Sequence, residues 1–314
     1  VEYPHLPGAS DRQRRAGDGV ISQECRAGAV AVNAGNVVYE ILGEKGDLIA
    51  LTPGGRFGKD VPGLRPLAEA LTEGGYRVLL WDRPNCGASD VQFYGHSESH
   101  MRAETLRGLL SALGFEQCIL AGGSGGARDS MLTAMLYPEL VTKLVVWNIV
   151  GGVYGMYQLG AFYVLPSIQA VRFSGIEGLL KVPEWRDRIA ENPNNRQRFL
   201  ALDAAAFLTV MMRWLNAFVP KPGQTIPGVD DEMFNRIKVP TLIIRGGEND
   251  WDHPKRTSLE VSCLIKGAEL IDPPWPEDAW ERAAEDRAAG KVAHFNLFDT
   301  WVQAAPAILD FLDS

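Results

Sequence analysis

Residues 117–134 read QCILAGGSGGARDSMLTA: an apolar run of strand length, then Gly122-Gly123-Ser124-Gly125-Gly126, then a helical run. Glycines on both sides of the serine permit the close backbone packing of a strained strand-to-helix turn. Such a turn lifts the Ser124 hydroxyl above a sheet and sets it beside a helix N-terminus. Two other readings of a glycine-rich turn are a phosphate-binding loop, for which the characteristic lysine is absent, and a structural turn carrying a bystander serine.

A serine hydroxyl is a weak nucleophile until a base takes its proton, so the reading moves outward to histidines and acids. The chain has five histidines. His294, in KVAHFNLFDT just before the last helical segment, is the expected base, because a loop there could return it to the serine. His5 and His100 lack such a context, His96 lies in a polar connection, and His253 lies beside the candidate acid. That acid is Asp250, which follows the apolar run TLIIRGG and is suited to hold a histidine tautomer. Glu248 and Asp252 are its neighbours and competitors. Backbone N–H groups of Gly125, next to the nucleophile, and of Gly55, in the glycine-rich exit TPGGR of an earlier strand, are the expected oxyanion donors, with Arg56 adjoining as a candidate substrate contact.

Further outward, DLIALTPGG, YRVLLWD, QCILAGGS and KLVVWNIVGG alternate with the helical stretches VPGLRPLAEALTEGG and SESHMRAETLRGLLSALG, each closed by glycine. GAVAVNAGNVVYEIL precedes them as a further apolar run, and VPTLIIRGGEND, AELIDPP and WVQAAPAILDFLDS resume the rhythm near the end. The expected fold class is α/β, a mostly parallel central sheet flanked by helices on both faces. Residues 153–237 break the rhythm with YGMYQLGAFYVL, FLALDAAAFLTVMMRWLNAFV and a turn-rich PKPGQTIPGVDD, and read as a helical insertion. Its aromatic side chains, Trp214 among them, either line an apolar pocket or fill the insertion's own core. The division is therefore a 1–27 extension, a core in two parts at 28–152 and 238–314, and the insertion between them.

These residues resemble the α/β-hydrolase superfamily, specifically its lid-bearing serine hydrolases. Ser124, Asp250 and His294 follow the family's nucleophile, acid and base order, TPGG stands at the oxyanion-loop position, DRPNCGASD at 82–90 resembles the DRPGxGxSD segment, and GGENDWDHP resembles the acid loop. The resemblance implies that 153–237 forms a lid over the strand ends. It puts ester or lactone hydrolysis through an acyl-enzyme first, hydrolysis of a carbon–carbon bond in a vinylogous diketone second, and a catalytically inactive ligand-binding protein third. Two departures stand out: Pro53-Gly54 replaces the usual histidine-glycine, and a helical-looking segment, DPPWPEDAWERAAEDRAAG, separates Asp250 from His294. Trp275 or Trp280 in that segment either shapes substrate access or packs the surface. Arg128, beyond the turn, either binds a substrate carboxylate or ties its helix to neighbouring acids.

Composition narrows the partners. Thirty-nine acidic against 31 basic residues give a formal charge of -8 with no extended basic stripe, which argues against a nucleic-acid partner. The four cysteines are too scattered for a metal site or a disulfide framework. No metal or organic cofactor is expected, the first residues lack a signal-peptide core, and no run is long and apolar enough for membrane insertion. The expectation is a cytoplasmic protein acting on a hydrophobic small molecule.

Overall fold

The computed structural model describes residues 26–292 and 296–314. Eight strands form one sheet: β1 (Arg26–Val32), β2 (Gly35–Leu42), β3 (Leu48–Thr52), β4 (Arg77–Trp81), β5 (Cys118–Gly123), β6 (Val141–Trp147), β7 (Thr241–Ile244) and β8 (Glu269–Ile271). Their spatial order is β1-β2-β4-β3-β5-β6-β7-β8. The pairs from β4 to β8 are all parallel, as alternating strands and helices require. The run at 28–42 departs from that expectation. It breaks at Asn33, whose φ of 55 suits the tight turn, into two antiparallel strands, and β2 is also antiparallel to β4.

Helices cover both faces because the buried strands are apolar on both sides. On one face α1 (Leu64–Glu73) and α11 (Ala305–Asp313) bury Leu64, Leu67, Ile308 and Phe311 against Ile49, Leu51 and Val145. On the other, α2 (Glu98–Leu113), α3 (Gly125–Leu136) and α9 (Lys255–Leu264) bury Leu106, Met131 and Val261 against Leu79, Leu120 and Val146. Gly114 ends α2 in the left-handed conformation (φ 80), the stop that glycine supplies without steric cost.

The chain runs from β3 to β4 on one side of the sheet and returns to β5 on the other. That reversal leaves a crevice at the carboxyl ends of β3 and β5, where open α/β sheets place ligands. Between β6 and β7 lie α4 (Gly152–Tyr163), α5 (Leu165–Ser174), α6 (Pro183–Glu191), α7 (Asn194–Leu200) and α8 (Ala204–Ala217), forming the helical lid. Phe93 from the core meets Trp185, Phe199, Phe207 and Trp214 at centroid distances of 5.0–6.0 Å, so much of the lid's aromatic content is its own core. The segment between β8 and the end of the chain contributes α10 (Ala279–Ala288). No single helix among the described residues is long and apolar enough to cross a membrane.

Candidate active site

Ser124 sits between the end of β5 and the start of α3 with φ 55 and ψ -122, a conformation that costs free energy for a residue with a Cβ. Its amide donates to Trp147 O on β6 (3.1 Å), and its carbonyl accepts from the amides of Ala127 and Arg128 (3.0 and 3.3 Å). Glycine is required around it. A Cβ on Gly126 would run into the carbonyl oxygens of Thr52 and Pro53, and one on Gly54 would come 2.9 Å from Ser124 Cβ. The exit of β3 is thus pressed against the nucleophile turn.

That approach brings the two expected oxyanion residues, Gly55 and Gly125, close together. The Gly125 N–H is in the first turn of α3, where no intrahelical acceptor exists and the helix dipole favours negative charge. A Cβ built on Gly125 would lie 3.0 Å from the Gly55 nitrogen, so the two backbones lie against each other. Gly55 has φ 47, a left-handed conformation that glycine adopts without steric cost. Arg83, fully buried, fixes the loop from behind: Nη2 donates to the carbonyls of Gly54, Gly55 and Phe57 at 3.0–3.1 Å, and Nη1 pairs with Asp129 at 2.8 Å. The DRPNCGASD segment flagged this stretch, but nothing in its spacing revealed that Arg83 would hold the oxyanion loop.

The histidine in contact with Ser124 is His253. Its Nε2 lies 2.8 Å from Ser124 Oγ and its Nδ1 lies 2.9 Å from Asp250 Oδ2. His294, the expected base, lies outside the described residues. Among the described residues, the histidine that reaches Ser124 thus lies before β8, on the acid's own turn. The physical reason is local: Asp250 Oδ1 accepts the amides of Asp252 (3.0 Å) and His253 (2.8 Å), folding the chain back so that acid and base share one turn. Pro254 then opens α9. The signal available in the sequence was a histidine three residues after the acid and directly before a proline; closeness along the chain made it look like a bystander.

His253 is enclosed, and burial by itself disfavours its charged form. The carboxylates of Asp250, then Asp252 and Glu281, outweigh that and raise its pKa above the ordinary 6.5. Burial raises the pKa of Asp252 and of Glu281 as well. Trp280 stands edge-on to the imidazole with centroids 4.5 Å apart. Trp280 and Glu281 reach this position on α10, whose approach is tethered by Arg245 to Asp272 (2.6 Å) and Glu277 (2.9 Å). A base must be neutral to accept the serine proton, so the acid limb of log kcat/KM is expected to have its midpoint above pH 6.5. Glu281→Gln removes one stabilising anion and is expected to move that midpoint down. A midpoint below 6.5, or one unmoved by the substitution, contradicts this electrostatic account.

The remaining candidates separate by environment. Arg56 is buried and ion-paired with Glu98 (3.0 Å) and Glu184 (2.6 Å), with its guanidinium over Trp185 and Tyr163, so it ties the lid to the core. Trp214 is buried in the lid's own core. Trp275 is buried in the core of the α1 and α11 face, whereas Trp280 is the tryptophan that touches the histidine. Arg128 is buried one turn behind Ser124, its Nε donating to Ser99 Oγ at 2.8 Å. An open groove of about 1000 Å³, walled by Val153, Tyr154, Tyr157, Trp251 and Pro254, leads up to Asp250.

The model of the alpha/beta hydrolase family matches residues 49–307. A 2-hydroxy-6-oxononadienedioate/2-hydroxy-6-oxononatrienedioate hydrolase of Klebsiella pneumoniae is 36% identical over 215 residues, 64% of this chain and 70% of that protein. One of the same description from Paraburkholderia phymatum is 29% identical over 217 residues, with the same coverage. The solved structure of a 2-hydroxy-6-oxo-6-phenylhexa-2,4-dienoate hydrolase from a Rhodococcus species superposes with a TM-score of 0.58 at 18% identity, covering 93% of this chain and 100% of its own. The two sequence relatives are named as hydrolases of a hydroxy-oxo-dienedioate, a vinylogous diketone. They overturn the order of the two hydrolytic readings, in which esters and lactones came first. The sheet, the serine turn at the end of β5 and a match spanning most of the chain agree, and this chain belongs to the alpha/beta hydrolase family.

Proposed function

We propose that the protein is a serine hydrolase that cleaves a carbon–carbon bond in a hydroxy-oxo-dienoate, a vinylogous diketone. The observation that carries the chemistry is the continuous chain from Ser124 Oγ through His253 to Asp250, set beside the Gly125 and Gly55 amides. The relatives' substrates carry the choice of bond.

In this reading His253 Nε2 takes the Ser124 proton as Oγ adds to the ketone carbon, and the carbonyl electrons collect on an oxygen held by the two amides. Asp250 keeps the imidazole in the required tautomer and stabilises the imidazolium. Collapse of the tetrahedral adduct breaks the adjacent carbon–carbon bond. The substrate's dienol has first ketonised, its hydroxyl proton moving to the carbon that will leave, so the electron pair passes through the resulting enone onto the 2-oxygen as a conjugated dienolate, and His253 returns its proton there. Water, deprotonated by His253, then adds to the acyl-enzyme. The second adduct releases a carboxylic acid, and the serine oxygen recovers its proton. The apolar groove beside Asp250 suits a hydrophobic small molecule.

The test is turnover of 2-hydroxy-6-oxo-6-phenylhexa-2,4-dienoate, followed by loss of the dienolate absorbance and by mass spectrometry of the two fragments. Expected are an aromatic acid and a hydroxydienoate in equal amounts, absent with Ser124→Ala. Robust hydrolysis of simple aryl esters with no cleavage of the dienoate would overturn the proposed reaction.

A further inference from the structure

The loop that carries Gly55 is gripped from two sides. From the core, Arg83 takes the carbonyls of Gly54, Gly55 and Phe57 at 3.0–3.1 Å, and Phe57 packs edge-on to Phe298 with centroids 5.5 Å apart. From the lid, the hold is on side chains. Tyr163, the last residue of α4, comes so near that a Cβ on Gly55 would lie 2.5 Å from its hydroxyl. Arg56, one peptide bond beyond Gly55, sends its guanidinium to two carboxylates. Nε donates to Glu98 (3.0 Å) on the core helix α2, and Nη1 donates to Glu184 (2.6 Å) on the lid helix α6.

Both carboxylates stand in the first turn of their helices, where the free N–H groups and the helix dipole make the surroundings positive. A guanidinium is repelled by two such ends unless the carboxylates hold it there. Glu98 also has Arg102 (3.2 Å) and Asn85 (2.9 Å), so its place does not depend on Arg56. Glu184 pairs with Arg56 alone among the described residues. The guanidinium carbon lies 4.7 Å from the centre of the Trp185 ring and 5.2 Å from that of Tyr163. Trp185 Nε1 in turn donates to Ser167 Oγ at 2.8 Å, which joins α6 to α5. One buried side chain thus meets Tyr163, Glu184 and Trp185 of the lid, and any shift of these elements pulls on the backbone next to Gly55.

We propose that Arg56 is a positioning residue that couples the lid to the oxyanion loop: Gly55 holds its working position only while Glu184 and Trp185 of the seated lid grip the guanidinium. This coupling rests on the serine hydrolase reading above and adds a condition to it, that oxyanion stabilisation is complete only with the lid in place. A substrate whose entry displaces α6 meets full catalytic power after the lid has settled back over it.

The probe is an aryl trifluoromethyl ketone, whose adduct with Ser124 carries the oxyanion; its Ki is read beside Tm and beside kcat and KM for the dienoate. Arg56→Met is expected to weaken the ketone and to lower kcat by roughly 100-fold each, with KM within about threefold. Glu184→Gln, a change made only on the lid, is expected to weaken the ketone by about tenfold, and the double variant to be no weaker than Arg56→Met alone. Arg56→Lys, which reaches one carboxylate but lacks the planar fork that spans both, is expected to fall between wild type and Arg56→Met. Losses that add in the double variant, or a Glu184→Gln protein that binds the ketone as wild type does, overturn the coupling. So does an Arg56→Met protein with a lowered Tm whose folded fraction keeps its kcat and ketone affinity, the mark of a purely structural tie. Glu184→Gln keeps a hydrogen-bonding side chain of the same shape, so its comparison with wild type decides the matter if Arg56→Met does not fold. A wild-type protein that neither binds the ketone nor takes a fluorophosphonate on Ser124 removes the serine hydrolase reading and the coupling with it. Wild-type binding matched by both variants removes the coupling alone.

Discussion

Ser124→Ala is expected to lower kcat by roughly 10⁴- to 10⁶-fold while leaving the fold and substrate binding in place, because Oγ is the only atom removed. The serine hydroxyl and the His253 imidazole act as one unit across 2.8 Å, so Ser124→Ala combined with His253→Ala is expected to be no slower than either single variant. Asp250→Asn is expected to cost about 10⁴-fold through loss of the histidine tautomer. It also weakens the turn that seats His253, since Oδ1 takes two amides there. Single-turnover kinetics on the dienoate check all three. Additive losses in the double variant would separate the two residues and contradict their joint action.

Arg83→Met is expected to be the most damaging change to stability, at about 3–5 kcal/mol, because it takes the nearer of two cations from buried Asp129 and removes a donor from each of three carbonyls. At roughly 2–4 °C per kcal/mol for a domain of this size, Tm should fall by about 10 °C. The same side chain fixes the direction of the Gly55 amide, so the surviving folded fraction is expected to lose roughly 10²- to 10³-fold in kcat, the usual cost of one oxyanion donor. Arg83→Lys preserves charge but not the planar fork, and should remain well below wild type in both measurements. An unchanged Tm in a calorimetric scan would show that Arg83 does not carry the loop.

The residues that could be read from the sequence are those whose chemistry is written in their neighbours. Glycines around Ser124 have few reasons to cluster between an apolar strand and a helix, and the structure gives each a steric one. Asp250 was legible because it follows an apolar strand at the distance of a loop. The contact of His253 with Ser124 was not, because it depends on two amide bonds to Asp250 Oδ1 that reverse the chain, and a sequence shows spacing rather than the direction of a turn. Arg56 was misleading for a related reason: its partner Glu184 lies far along the chain in the lid, so a cation beside the oxyanion loop looked available for substrate. The hairpin of β1 and β2 was hidden inside one apolar run because its turn takes only Asn33 and Ala34. The separation of Trp275 from Trp280, one in the core and one against the histidine, required the packing of α10.

The central claim is that acid and base come from a single turn, Asp250 to His253, and that this turn activates Ser124. The most direct measurement is the rate of Ser124 phosphonylation by a fluorophosphonate, read by intact mass, in His253→Ala and His294→Ala side by side. Labelling should be lost in His253→Ala and persist at near the wild-type rate in His294→Ala, with dienoate turnover following the same order. Rapid labelling in a folded His253→Ala protein, with loss in His294→Ala, would contradict the account.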